Sequence, residues 1–138
     1  MGATRNIPTG EAFDLTEEAV GLERSSGRAW FMEWGSGGPP PRIDGYTVGA
    51  PLLIPGGEPP HAGEMHPDAD ELLFLVSGRI RLRLELEGGH RHVAVGPGQA
   101  VVVPKGVWHL ISIEEQGQLI HITPGPGGEH RPLPGHSE

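Results

Sequence analysis

The run from Arg79 to Glu87, RIRLRLELE, constrains this chain more than any other stretch, because Ile80, Leu82, Leu84 and Leu86 alternate with Arg79, Arg81, Arg83 and Glu85. Successive Cβ atoms of a strand point to opposite sides, so this alternation gives one apolar face and one charged face. A helix would scatter the same residues around its circumference. Just upstream, ELLFLV (71–76) is almost wholly apolar, as in a strand covered on both faces. Ser77-Gly78 between the two reads as a tight link, and the pair predicts a β-hairpin.

The rest of the chain repeats the theme. With 23 Gly and 15 Pro in 138 residues, a helical bundle is a poor fit, whereas short strands joined by turns would use such punctuation. AWFMEW (29–34) and YTVGAPLLI (46–54) read as strands, the second with a bulge or edge at Gly49 and Pro51, and GSGGPPPRIDG (35–45) reads as a loop. GGHRH (88–92) reads as a turn, followed by VAV (93–95) and AVVVP (100–104) as strands. WHLISI (108–113) and QLIHIT (118–123) form a further expected pair joined across EEQG. FDLTEEAV (13–20) can make one turn capped by Asp14. Roughly eight to ten short strands in one domain predict an all-β sandwich or barrel. The expected layout is an N-terminal arm or first edge strand over 1–28, a barrel over 29–124 and a C-terminal arm over 125–138.

Composition removes several functional classes. There is no cysteine, so disulfides, thiolate nucleophiles and cysteine-held metals are excluded, and any metal must sit on His, Asp or Glu. A formal charge of −8 argues against a nucleic acid or an anionic membrane as partner, since phosphate backbones select clustered Lys and Arg. The first ten residues show neither an apolar signal core nor, with Asn6, a myristoylation pattern, and no apolar run is long enough to span a bilayer. These features place the chain in the cytoplasm as an expectation.

The segment HAGEMHPDADELLFLVSG (61–78) carries the chemistry. His66 is followed by four residues, Glu71, six residues and Gly78; downstream, Gly98 is followed by five residues, Pro104-Lys105-Gly106, two residues and His109. Two spacings in this order resemble the paired motifs of the cupins over about residues 45–125. The resemblance implies a double-stranded β-helix, or jelly-roll barrel, with a metal inside. It implies His66, Glu71 and His109 as ligands. The chain departs from the pattern twice: Glu64 stands at the first histidine, and Ile113 stands at the closing asparagine.

Period two supports Glu64 as the fourth ligand, because Glu64 and His66 share a face of an extended segment while His61 has the wrong parity. His61 remains the alternative ligand, and His121 in LIHIT is either a base or substrate contact facing the cavity or an outward-facing residue. His90, His92, His130 and His136 are expected in solvent, and Trp108 packs on the face opposite His109. Two imidazoles and two carboxylates suit Fe or Mn, with Zn or Ni as the other candidates for a divalent transition metal. The implied function is a metal-dependent enzyme on a small organic molecule, with dioxygenase or other oxygenase chemistry leading. The alternatives are a non-catalytic small-molecule or metal-binding cupin and a metal-assisted isomerase or cyclase. The resemblance also implies a homodimer.

Overall fold

A computed structural model describes residues 4–33 and 41–134. Trp34, most of the expected 35–45 loop and His136 lie outside the described residues. Among the described residues no helix forms, and so none is long and apolar enough to cross a membrane.

The strands in chain order are β1 (Thr4–Arg5), β2 (Val20–Glu23), β3 (Ala29–Met32), β4 (Gly45–Gly49), β5 (Leu52–Leu53) and β6 (Glu64–Met65). They continue as β7 (Glu71–Leu86), β8 (Gly89–Val95), β9 (Ala100–Val103), β10 (His109–Gly125) and β11 (Glu129–His130). All pairings are antiparallel, along β1-β3-β2-β4-β10-β6-β11, with β5 and β7 also on β10 and with β8 and β9 on β7. The curled all-β sheet matches the jelly-roll expectation. Pro51 splits the single strand expected over 46–54 into β4 and β5, because proline has no N–H to give the ladder. Asp14 accepts from the Thr16 N–H (2.9 Å) and caps the single turn expected there.

Both expected hairpins are overturned. Glu71–Leu86 is one strand of 16 residues and His109–Gly125 one of 17, and the two pair with each other from Leu72↔Ile122 to Leu84↔His109. The ladder shifts register between Ile113 and Leu119, opposite Ser77-Gly78. Gly78 has φ +88°, and a Cβ there would lie 2.7 Å from the carbonyl oxygens of Glu115 and Gln116; a Cβ on Gly117 would collide with the Ser77 carbonyl. The two glycines therefore let paired backbones approach and bend together, where the sequence alone suggested reversal. β9 then covers the first half of β7 (71–74) and β8 the second half (80–86). β8 starts at Gly89, so His90 and His92 lie on a strand and not in the turn expected for them, although both are exposed.

The core fills this curl. Leu73, Leu75, Ile80, Leu82, Val103 and Leu119 are buried, each contributing about 1.5–3 kcal/mol by leaving water. Leu86, the last member of the alternating stripe, is 39% exposed, because it stands at the rim where β7 turns into β8. Ile113, at the position of the missing asparagine, joins the core cluster. On the outer face Arg79 and Arg81 meet Glu115 (3.3 Å) and Glu114 (3.1 Å). Such exposed pairs add little stability.

Candidate metal centre

Four elements deliver polar side chains to one end of the barrel. β6 is only two residues long and lies between β10 and β11, with Glu64 opposite His109 on one side and His130 on the other. Gly63, at φ +148°, admits the chain to this position. His66 follows two residues later, and its carbonyl accepts from the Gly106 N–H (2.8 Å). Glu71 opens β7 and His109 opens β10.

The side chains converge. Donor atoms of Glu64, His66 and His109 lie within 4.8 Å of one another. His66 Nε2 is 3.6 Å from Glu64 Oε1 and 3.6 Å from Glu71 Oε1, while His109 Nε2 is 3.0 Å from Glu71 Oε1 and 3.9 Å from Glu64 Oε2. Ligands at 2.0–2.2 Å from one ion stand about 2.9–3.6 Å apart, so the cluster needs little contraction to hold a metal.

His66, Glu71 and His109 are 3%, 4% and 2% exposed, so bulk solvent does not reach them. His66 Nδ1 and Nε2, Glu71 Oε1 and His109 Nε2 all lack hydrogen-bond partners. The tautomer of His109 follows from its other nitrogen: Nδ1 faces the Val107 carbonyl at 3.1 Å and must carry the proton there. In the neutral ring Nε2 is then a bare lone pair facing a carboxylate oxygen at 3.0 Å. That contact is repulsive until a cation comes between or onto them.

A proton is one such cation. Burial opposes charge on His109 more than any other influence, but the adjacent Glu71 carboxylate, the Val107 carbonyl and Glu64 together raise its pKa. Glu71 shows the reverse balance: burial would raise its pKa, and His109, His66 and Thr123 outweigh it and hold it below the usual carboxylate range. Burial also lowers the pKa of His66, with Glu71 and Glu64 offsetting it only in part, so this ring is neutral and available as a ligand near pH 7.

The other oxygen of Glu71 is anchored. Thr123 Oγ1 donates to Glu71 Oε2 (2.7 Å) and lies 2.8 Å from His121 Nδ1. A hydroxyl has one proton, so His121 Nδ1–H must be the donor to Thr123 and Nε2 the free acceptor. The imidazole lies against Gly49, where a Cβ would collide with Nε2. His121 thus faces inward, one hydroxyl away from Glu71, and burial lowers its pKa. It also lines a cavity of about 440 Å³ with Leu15, Met32, Ala50 and Pro51, apart from the metal-type cluster.

Two placements, those of His130 and Arg42, were hidden from sequence reasoning. His130, expected in a solvated tail, is on β11 with Nε2 3.7 Å from Glu64 Oε1. Arg42, inside a Gly/Pro-rich loop by composition, is half-buried in the field of Glu64 and Glu71. His61 stays off the inner cluster, with Nδ1 accepting from the Gly63 N–H (3.1 Å) and the ring 5.0 Å from that of His130. Trp108 packs as expected, under the Arg131 guanidinium at 4.0 Å.

No curated protein matches this sequence. Among solved structures, Bacillus subtilis oxalate decarboxylase, in a study of its Mn(II) centers, has a TM-score of 0.53 at 18% identity over 62% of this chain and 23% of its own. Lactobacillus farciminis oxalate decarboxylase with formate gives 0.51 and 19% over 64% and 26%; Peruvianin-I, a cysteine peptidase from Thevetia peruviana latex, gives 0.52 and 20% over 64% and 56%. This chain spans about a quarter of each oxalate decarboxylase and just over half of Peruvianin-I. At such identities the likeness is one of fold. The family model described as Cupin domain matches residues 52–123, just over half of the chain. The chain belongs to the cupin family.

Proposed function

We propose that this cupin is a metal-dependent enzyme acting on a small organic molecule, with Glu64, His66, Glu71 and His109 holding one divalent transition ion. The observation that carries the reading is the convergence of three buried, unpartnered atoms, His66 Nε2, Glu71 Oε1 and His109 Nε2, at 3.0–3.6 Å across the pairs that Glu71 makes. Leaving such groups unsatisfied costs about 1–3 kcal/mol each. A proton shared between His109 and Glu71 relieves one of these contacts and leaves His66 Nε2 without a partner, whereas one divalent ion satisfies all three atoms.

Within this reading the residues divide the work. His66 and His109 would present neutral nitrogen lone pairs to the ion, and the two carboxylates of Glu64 and Glu71 would balance its double charge. Such a shell favours Fe or Mn over a strong Lewis acid role and supplies redox chemistry when the ion is bound, which makes an oxygenase our lead. Thr123 fixes the plane of the Glu71 carboxylate, and Arg42 offers a cation to an anionic group of the substrate. A homodimer and a cytoplasmic location belong to the same proposal.

A second reading, a non-catalytic cupin that binds a small molecule, is favoured by the cavity beside His121, which the metal-type cluster does not line. Elemental analysis of freshly purified protein, followed by oxygen uptake against small phenols, diketones and organic acids, separates the two. One equivalent of Fe or Mn, lost in His66→Ala and His109→Ala, together with substrate-dependent oxygen uptake, is the expected result. Full metal retention in both variants would overturn the ligand assignment.

A further inference from the structure

The outer side of Glu64 holds a second set of donors. One ligand atom from each of His61, Glu64 and His130 lies within 4.8 Å of the others, and these residues are distinct from the inner cluster except for Glu64. The sheet register explains the arrangement. Directly opposed residues on antiparallel strands share a face, so His109, Glu64 and His130 form a row across β10, β6 and β11. Glu64 Oε1 is 3.6 Å from His66 Nε2 on the inner side and 3.7 Å from His130 Nε2 on the outer side.

The outer residues are held in place. Ala62 N–H donates to the Arg131 carbonyl (2.8 Å) and Arg131 N–H to the Gly63 carbonyl (2.9 Å), which ties the loop carrying His61 to the strand carrying His130. The Arg131 side chain bonds Glu85 at 2.5 Å and stacks on Trp108 at 4.0 Å, so β11 is fastened on both sides. Ligation by His61 Nδ1 would replace the Gly63 N–H bond at 3.1 Å that its single lone pair now takes. Burial lowers the pKa of His61, and its neighbours His130 and His109 lower it further against Glu64, so the ring is neutral near pH 7. Two imidazoles and one carboxylate are the donor set of an open three-ligand site.

We propose that His61, Glu64 and His130 form a second, outer metal site at the mouth of the barrel, with the Glu64 carboxylate shared between the two. Its imidazole-rich, partly exposed donors select Zn(II), Ni(II) or Cu(II), which rank above Mn(II) and Fe(II) for nitrogen ligands. The outer site stands without the inner ion; only the sharing of Glu64 rests on the function proposed above. Occupancy of both places two divalent ions on one carboxylate, so each weakens the other.

The test uses the full-length, metal-free chain titrated with Zn(II) by calorimetry and with Co(II) by its visible absorption. The wild type is expected to bind two equivalents, the outer one at least tenfold more weakly. His61→Ala and His130→Ala should each lose the weaker equivalent and keep the stronger. His66→Ala should keep the outer one. A His90→Ala/His92→Ala variant should keep both, which excludes the other surface histidines. Both outer residues are partly exposed, and an unchanged urea midpoint confirms that those variants remain folded. The outer site is overturned if the wild type takes up one equivalent that His66→Ala abolishes, or if the second equivalent persists in both His61→Ala and His130→Ala. A single equivalent that disappears in His130→Ala and survives in His66→Ala would instead uphold the outer site and refute the inner one.

Discussion

Thr123→Val isolates the hydroxyl that links the candidate centre to His121. The side chain is 2% exposed and valine has nearly its shape, so the substitution opens no cavity. It removes the 2.7 Å bond to Glu71 Oε2 and the 2.8 Å bond from His121 Nδ1–H. The first is a bond to a charged acceptor, about 1.5–3 kcal/mol, and the second a neutral bond, about 0.5–1.5 kcal/mol. The metal-free variant should therefore unfold about 2–4 kcal/mol more easily in urea, with an unchanged m value. In the metal-loaded protein the freed carboxylate loses its fixed plane, and affinity should fall about 10–100-fold, as for other groups that orient metal ligands. Thr123→Ser keeps the hydroxyl and should restore most of the affinity while losing a buried methyl group. If Thr123→Val matches the wild type in both urea midpoint and metal affinity, Glu71 does not depend on this hydroxyl and the orienting role is refuted.

Four further outcomes are expected. Glu64→Ala should weaken the tighter metal equivalent, whereas His61→Ala leaves it close to unchanged; the opposite ranking in calorimetry would put His61 in the inner shell. Glu64→His, loaded with iron, should show a higher Fe(III)/Fe(II) potential, because a neutral imidazole stabilises the oxidised ion less than a carboxylate does, and an unchanged potential in a redox titration would place Glu64 outside the shell. In the metal-free protein His109 has a raised pKa and Glu71 a lowered one. The His109 contribution to stability is thus present below its unfolded pKa of about 6.5 and lost as pH rises through the folded value, while that of Glu71 is lost as pH falls through its own folded value; the stability gap between wild type and His109→Gln should accordingly shrink from pH 6 to pH 8. Gly98→Ala, at φ +82° with open space around it, should cost about 1–2 kcal/mol, and Gly78→Ala, with the same backbone demand and two carbonyl oxygens 2.7 Å from the new Cβ, at least about 2 kcal/mol more in urea denaturation.

The inner cluster was legible because the spacings around His66, Glu71 and His109 resemble a family pattern. Glu64 and His66 share a face by period two, and Glu71 and His109 stand at strand starts that the apolar runs mark clearly. His130 and Arg42 were not legible: no periodicity in HRPLPG or PPPRIDG announces a packed residue, His130 reaches the site through the pairing of β11 with β6, and Arg42 lies in the chain just before β4. His121 lay between these cases. Alternation in LIHIT admits either orientation, and the choice is made by Gly49, directly opposite on β4, whose missing side chain leaves room for the ring.

The two false hairpins bear on the site itself. A glycine in an extended run serves a reversal or a bend equally well, and only the partner strand decides. Here β10 carries its own glycine, Gly117, where β7 has Gly78, so the pair continues through the break and folds as a unit. In the β7/β10 ladder, Glu71 lies at the end next to Thr123 and His109 lies at the other end, opposite Leu84. At about 3.3 Å per residue a flat ladder would separate those ends by roughly 40 Å. Glu71 Oε1 and His109 Nε2 are 3.0 Å apart. The bend at Gly78 and Gly117 therefore does more than close the core, because it brings the two ends of one ladder face to face. Two hairpins would each have buried an apolar face equally well. Only continuous, bent strands place a carboxylate from one end against an imidazole from the other, which ties the glycine positions to the chemistry as closely as the ligands themselves.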